Sequence, residues 1–354
     1  MKMPPTARGA KFSVCALVFA LSNQAPASSF SVSELIKAEA SAISAADLKA
    51  AAIEVPPEVV AEIKATPTRG VFPVTGIEKF RGKILKCDVL QLDSQATLIL
   101  EDVDSPYVAI VARRLILRAP DETCRIRFDP TVTGGNGTRG QNGGDGGPGH
   151  GDGRSGKAGS AGMNGETGGT KPLPKVYFVI EEIRDQQNSP VTYLNLSLGL
   201  QGLPAGDGGD GGNGGNGGPG ARGRNGAEGL FDCRTGPGNG GDGGAGGAGG
   251  NGGPGGVGGN GADLVYAGPQ DTMDRLFEVR VSNAGGPGGF GGRPGVGGMG
   301  GVGGSRGRQT ARCTGGHMGD TGASGPAGQP GPMGTAGGKG AVDYSIIPNL
   351  NAYF

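Results

Sequence analysis

The sequence predicts a mainly β chain with polyglycine-II helices. The expected order is a short N-terminal helical segment, a β-solenoid-like region (or small sandwich), then a six-arm polyglycine-II bundle inserted between strands. Three observations carry this expectation. Glycine makes up 79 of 354 residues, yet only four precede residue 134 and none follows residue 341. Inside that stretch glycine recurs with a period of three. Runs of β-branched and apolar residues stand before, between and after the glycine tracts. With 5% aromatics and no tryptophan, the second half cannot enclose an ordinary apolar core. The 32 basic and 32 acidic side chains balance, which argues against a nucleic-acid partner.

Taken in order, residues 1–27 read as a signal peptide. Lys2, Arg8 and Lys11 precede the apolar run Phe12–Leu21, and Ala25-Pro26-Ala27 fits a small-x-small cleavage site. Ten apolar residues are too few for a transmembrane anchor, so the expected location is secreted or cell-surface. Residues 28–69 form a helical N-terminal arm. Ser31-Val32-Ser33-Glu34 matches a capping box, Pro56-Pro57 interrupts, and Glu58–Ala65 can form a second short helix. Residues 70–133 turn to β, with strands expected at Ile84–Leu92, Thr97–Leu100, Tyr107–Leu117 and Cys124–Phe128.

Three glycine tracts then fill 134–341, at 134–170, 202–262 and 284–341, before a C-terminal strand and tail at 342–354. Each is entered from an expected strand (124–129, 192–200, 276–282) and leaves into another (175–182, 263–267, 343–347). Each loses its period midway, around 150–153, 221–237 and 305–315, so each reads as a hairpin of two arms. A period of three suits an extended helix with three rows of side chains, which makes no internal hydrogen bonds and must bond sideways. Arms 202–220, 238–262 and 285–304 hold mostly two glycine rows and are expected in the interior. Arms 153–170 and 316–341 hold mostly one and are expected at the rim, with 134–151 intermediate. Pro294 replaces glycine in one row and is expected to spoil a lateral contact. Disorder, or a trimeric collagen helix over the G-X-Y stretch 316–341, are the competing readings.

Tracts such as Gly206–Gly220 and Gly240–Gly261 resemble the polyglycine-II bundles of the snow flea antifreeze proteins and of some phage tail-tip adhesins. The resemblance covers about 134–341 and implies laterally bonded extended helices.

Several motifs carry no chemistry. Residues 151–158 approach a P-loop, but Ala158 stands where a magnesium-binding hydroxyl belongs. Residues 258–266 match one calcium nonapeptide, where binding needs successive copies, and Asp207, Asp210 and Asp242 read as solvated. Arg222-Gly223-Arg224 lacks aromatic stacking partners for RNA. No metal site and no cofactor are expected. Without Cys15, four cysteines remain, and the expected disulfides are Cys87 with Cys124 and Cys233 with Cys313.

The functional expectation is a secreted, non-enzymatic structural or adhesive display protein, monomeric, whose tip loops meet a surface ligand, a glycan or cell-envelope component. The candidate binding residues are His150, Arg224, Phe231, Arg234, Arg306, Arg308 and Arg312. One alternative is ice binding through the row Ser155, Ala158, Ala161, Asn164, Thr167 and Thr170. A further alternative is a carbohydrate-active enzyme using carboxylates such as Glu101 or Glu181.

Overall fold

The computed structural model describes residues 54–191 and 194–354. The expected signal peptide, Cys15 and the helix expected over 31–52 lie outside the described residues. Two helices and thirteen strands are present among the described residues. The helix α1 (Pro57–Ala65) starts at a proline, whose missing amide costs nothing there, and carries Glu58 in its first turn and Lys64 in its last. Its Val59 and Ile63, four residues apart, are buried.

The strands alternate between two parallel sheets. Strands β1 (Arg69–Val74), β3 (Ile84–Leu92), β5 (Tyr107–Leu117), β7 (Lys175–Asp185), β11 (Leu264–Gly268) and β13 (Val342–Ile346) form a six-stranded sheet in that order. Strands β2 (Ile77–Phe80), β4 (Thr97–Leu100), β6 (Cys124–Phe128), β8 (Leu196–Gly199) and β12 (Arg280–Ser282) form a five-stranded one. Between the sheets lies one apolar core that includes Leu85, Leu98, Leu115, Ile126, Phe178, Leu198 and Tyr266. A second cluster covers the outer face of the six-stranded sheet, where α1 and the C-terminal Leu350 and Tyr353 pack on Ala109, Val111, Val179 and Val265. The buried Lys86 ties this cover down by donating from Nζ to the carbonyls of Ile63, Lys64 and Thr66 at 3.1–3.2 Å. These are orphan acceptors of the helix C-terminus.

The expected fold class is corrected here. The body is a pair of parallel β-sheets, of six and five strands, where a β-solenoid-like region or small sandwich followed by a six-arm polyglycine-II bundle inserted between strands is the expectation. Strands far apart in sequence pair in continuous register, Val176 with Leu264 and Leu264 with Val342. The arms 134–151, 153–170, 202–220, 238–262, 285–304 and 316–341, here arms one to six, carry neither helix nor strand. A polyglycine-II bundle is therefore not what defines this fold. A short helix absent from the sequence expectation, α2 (Gln270–Leu276), precedes the expected strand 276–282, which is shortened to β12 (Arg280–Ser282).

What relates the arms is the order of the strands they leave. Arms one, three and five follow β6, β8 and β12 of the smaller sheet, and arms two, four and six return into β7, β11 and β13 of the larger. Their backbones bond in the same order, stepping by three on both sides. The amides of Gly134, Gly137 and Gly140 on arm one donate to Pro204, Asp207 and Asp210 on arm three, each at 2.8 Å. Gly208 and Gly211 on arm three donate likewise to Phe290 and Arg293 on arm five. Gly156 and Gly159 on arm two donate to Asp242 and Ala245 on arm four, and Gly243 on arm four to Asp320 on arm six. The arms thus form two layers, one continuing each sheet, and antiparallel bonds such as Gly209 to Glu166 and Gly244 to Gly218 join the layers.

Arms three and four are bonded on both sides within their layers and across to the other layer, as expected for interior arms. Arm five has only arm three beside it in its layer, so it stands at the border, as does arm two. Its outer row leaves Phe290, Val296, Met299 and Val302 exposed. Pro294 interrupts nothing, because Gly331 to Gly292 and Gly328 to Gly295 both measure 2.9 Å. The third, outward row explains its Asp and Asn residues. Amides on that row have no glycine-row carbonyl to meet, and neighbouring side chains accept from them: Asn136 from Asp207, Asp207 from Phe290, Asp242 from Asp320. The expectation that Asp207 and Asp242 are merely solvated is corrected accordingly, and Asp210 accepts from Arg293 in the same way.

Candidate functional site

The arms end in three turns. Between arms one and two the chain reverses over His150–Gly153, with Gly151 at φ +90° and Gly153 at +61°, a backbone region that favours glycine. Between arms three and four stands a two-stranded antiparallel hairpin of β9 (Ala227–Glu228) and β10 (Cys233–Thr235). Between arms five and six the loop runs through 305–316.

Backbone and side-chain bonds draw the three turns together. Gly153 donates to the carbonyl of Arg222 at 3.1 Å. Asp152 accepts from the amide of Arg224 and pairs with its guanidinium at 3.6 Å. The third loop reaches the hairpin through Gly226 to the Arg308 carbonyl at 2.9 Å, and through the Arg308 amide to Asn225 at 3.0 Å. Arg312 donates its amide to Glu228 and its Nη1 to the Leu230 carbonyl, both at 2.6 Å. The Thr310 hydroxyl and the Arg312 amide hold the Glu228 carboxyl below the usual carboxylate range. The Cys233–Cys313 disulfide closes the assembly, with Cα atoms 5.0 Å apart.

Each expected tip residue has a defined place. Arg224, Arg308 and Arg312 belong to this bonded network, and Arg234 lies on β10 beside the disulfide. Phe231 stands at the hairpin turn, 85% exposed. His150 ends arm one, and Arg306 is exposed on the third loop. The guanidinium groups of Arg222, Arg234, Arg306 and Arg308 form no ion pair among the described residues. The sequence reading missed Leu230, 82% exposed beside Phe231, and Arg222, Asp152 and Glu228. The adjacent apolar pair in an otherwise glycine-rich tract was the available signal.

The second expected disulfide is corrected. Cys87 and Cys124 are free and buried, Cys87 on β3 of one sheet and Cys124 on β6 of the other. Cys124 Sγ donates to the Asp93 carbonyl at 3.2 Å, and burial pushes the Cys87 thiol up to about 12 and raises Cys124 as well. No group of three His, Cys, Asp or Glu residues able to hold a metal occurs among the described residues. No helix among them is long and apolar enough to cross a membrane.

The remaining candidates sit elsewhere. Glu101 is bound by Lys79 at 2.8 Å and Arg81 at 2.6 Å, which hold its carboxyl low. Glu181 lies 3.6 Å from Arg113 and lines a cavity of about 550 Å³ with Glu182, Arg184 and Asp271. The row Ser155, Ala158, Ala161, Asn164 and Thr167 is exposed on the outer face of its layer, level with Asn251 and Gln329 through bonds of 2.8 Å. Arg154, Lys157 and Glu166 lie on a different row, whose carbonyls accept from arm three and whose Lys157 and Glu166 amides donate to arm one.

No family profile and no curated protein matches this chain. Among solved structures, a springtail antifreeze protein from Granisotoma rainieri, described as a nine polyproline type II helical bundle, is similar at 24% identity. The match covers 53% of this chain and 92% of that one, with a TM-score of 0.09, a superposition too poor to carry an argument about fold or function.

Proposed function

We propose that this is a non-enzymatic display protein of an extracytoplasmic compartment, in which the β body holds the arms and the joined loops at their far end engage a surface ligand. One observation carries the reading. A hairpin and a loop from separate parts of the chain are joined by a disulfide, a third turn is bonded to the hairpin through Gly153 and Asp152, and their arginines and Phe231 remain exposed. Function is commonly carried on loops held by a rigid scaffold, and disulfides persist outside the reducing cytosol. Binding of the full chain to a panel of glycans and cell-envelope fragments tests it. The triple variant Arg234→Ser, Arg306→Ser, Arg308→Ser should lose the captured partner, and unchanged capture would sink the tip as the site.

A second reading, ice binding, is favoured by the outer face of arms two, four and six. That face presents Ala158, Ala161, Asn164, Ala245, Asn251 and Thr335, and its rows contain no lysine or arginine. Thermal hysteresis that disappears in Ala161→Lys would support it. No hysteresis in the unaltered protein would end it.

A further inference from the structure

We propose that the partner of the tip is the surface of an anionic lipid bilayer, entered by Leu230 and Phe231; this rests on the reading of the tip as the binding site. The two side chains are 82% and 85% exposed, the highest values among the large apolar residues described, and they are adjacent at one turn. The turn cannot fold them inward. Gly229 donates to the Asp232 carbonyl at 2.9 Å, Arg312 Nη1 holds the Leu230 carbonyl at 2.6 Å, and the disulfide fixes the strand behind them. An apolar pair held in water by its own scaffold loses free energy only when something apolar covers it.

The surroundings select the cover. Arg222, Arg224, Arg234, Arg306, Arg308 and Arg312 share the three loops with Asp152, Glu228 and Asp232, so the region is positive. Two of the three acids are already engaged, Asp152 by Arg224 and Glu228 by Arg312 and Thr310. The third, Asp232, turns its carboxylate back across Gly229. An apolar apex behind which unpaired arginines lie matches the order of a bilayer surface, with acyl chains beneath anionic headgroups. A soluble anionic polysaccharide would satisfy the arginines and leave Leu230 in water, so lipid accounts for more of the surface.

Co-sedimentation of the full chain with vesicles tests this, using phosphatidylcholine alone and phosphatidylcholine with phosphatidylglycerol. Binding is expected only to the anionic vesicles and to weaken as salt is raised. Leu230→Ser with Phe231→Ser should weaken it by on the order of a hundredfold. Replacing Arg306 or Arg308 by serine should weaken it roughly fivefold each. Phe231→Trp should show an indole emission shifted to the blue on vesicle addition. Retained β signal and an absence of free thiol at Cys233 and Cys313 would show that the variants are folded. Binding indifferent to the Leu230/Phe231 pair, or no vesicle binding at all, overturns the lipid proposal. Capture of dextran sulfate by the same arginines without vesicle binding also overturns it, and leaves the tip reading standing. Tip variants that retain every partner captured by the unaltered chain overturn both.

Discussion

Between the two β-sheets the gap is filled by side chains, whereas between the two glycine layers it is closed by backbone. The same parallel order runs through both regions, β6-β8-β12 into arms one, three and five, and β7-β11-β13 into arms two, four and six. In the β body, Leu98, Leu115 and Phe178 are wholly buried, and stabilisation comes from apolar area. In the layers, a Cβ on Gly214 would lie 2.0 Å from the Gly247 carbonyl oxygen. There the stabilising contacts are amide-to-carbonyl bonds, each modest in net worth but numerous and mutually dependent. Order along a sheet can therefore be inherited by segments that contain almost no side chains, provided the backbone finds partners at every third residue.

The sharpest way to break this comparison is to put a side chain where only backbone fits. Gly214→Val should cost more than ~4 kcal/mol, since arms three and four must separate to admit it. Gly144→Ala, whose Cβ meets nothing nearer than Ser160 Oγ at 3.7 Å, should change stability by no more than ~0.5 kcal/mol. Equal effects of the two in chemical denaturation would refute the view that the layers are held by close backbone approach.

Removal of the disulfide, Cys233→Ser with Cys313→Ser, ranks next. Its 80-residue separation gives about 4.5 kcal/mol from restriction of the unfolded chain, an upper bound. Hydrogen exchange should rise first at the tip amides of Gly226 and Gly229 and leave β5 and β7 protected. Uniform loosening would mean that the two regions unfold as one. In the β body, Leu98→Ala should cost about 3 kcal/mol, with thermal unfolding as the readout. A cost near zero there would remove the contrast from its other side.

The smallest effect concerns pH. Burial pushes the Glu182 carboxyl up, but hydrogen bonds from Arg114 at 2.6 Å and Arg184 at 3.1 Å outweigh it and leave the group below the usual range. A depressed folded value contributes stability above the unfolded value of about 4.3, lost as pH falls through the folded one. The partly exposed pair should account for about 0.5 kcal/mol of acid lability. Glu182→Gln should flatten the acid limb of a stability–pH curve, and an unchanged limb would assign that lability elsewhere.

Much of the β body was legible in sequence. Strands β3 to β6 lie where runs such as Tyr107–Leu117 placed them, because β-branched and apolar residues there are interrupted by polar turns. Strands β1 and β2 were not legible. β1 contains Gly70 and Pro73 and leaves most of its residues exposed, so it has no run to read. Helix α2 was obscured because seven residues give less than two turns of periodicity, although Pro269 marks its start. The glycine period showed that arms must meet side by side, but which arms meet depends on strand order, and the dominance of the β body was missed for that reason. The same gap explains the cysteines: 37 residues separate Cys87 from Cys124, and spacing alone does not reveal that their strands belong to opposite sheets. At the tip, the arginines were visible as charges, whereas the sequence signal for Leu230 was only its place beside Phe231, and its exposure gives that pair its weight.

The three-residue step of the inter-arm bonds makes each arm behave as a reading frame. Deleting one residue from arm three near Asp210 would shift every later position by one phase. Asn213, Asn216 and Pro219, now facing outward, would fall on rows where a Cβ meets carbonyl oxygen at about 2 Å, as it would at Gly212 and Gly215. A deletion of three residues would keep phase but leave arm three shorter than arms one and five, so their outward bonds would lose register towards the tip. Arms can therefore lengthen or shorten only in whole triplets and only together, which makes the reach of the tip from the sheets a quantised property shared by all six.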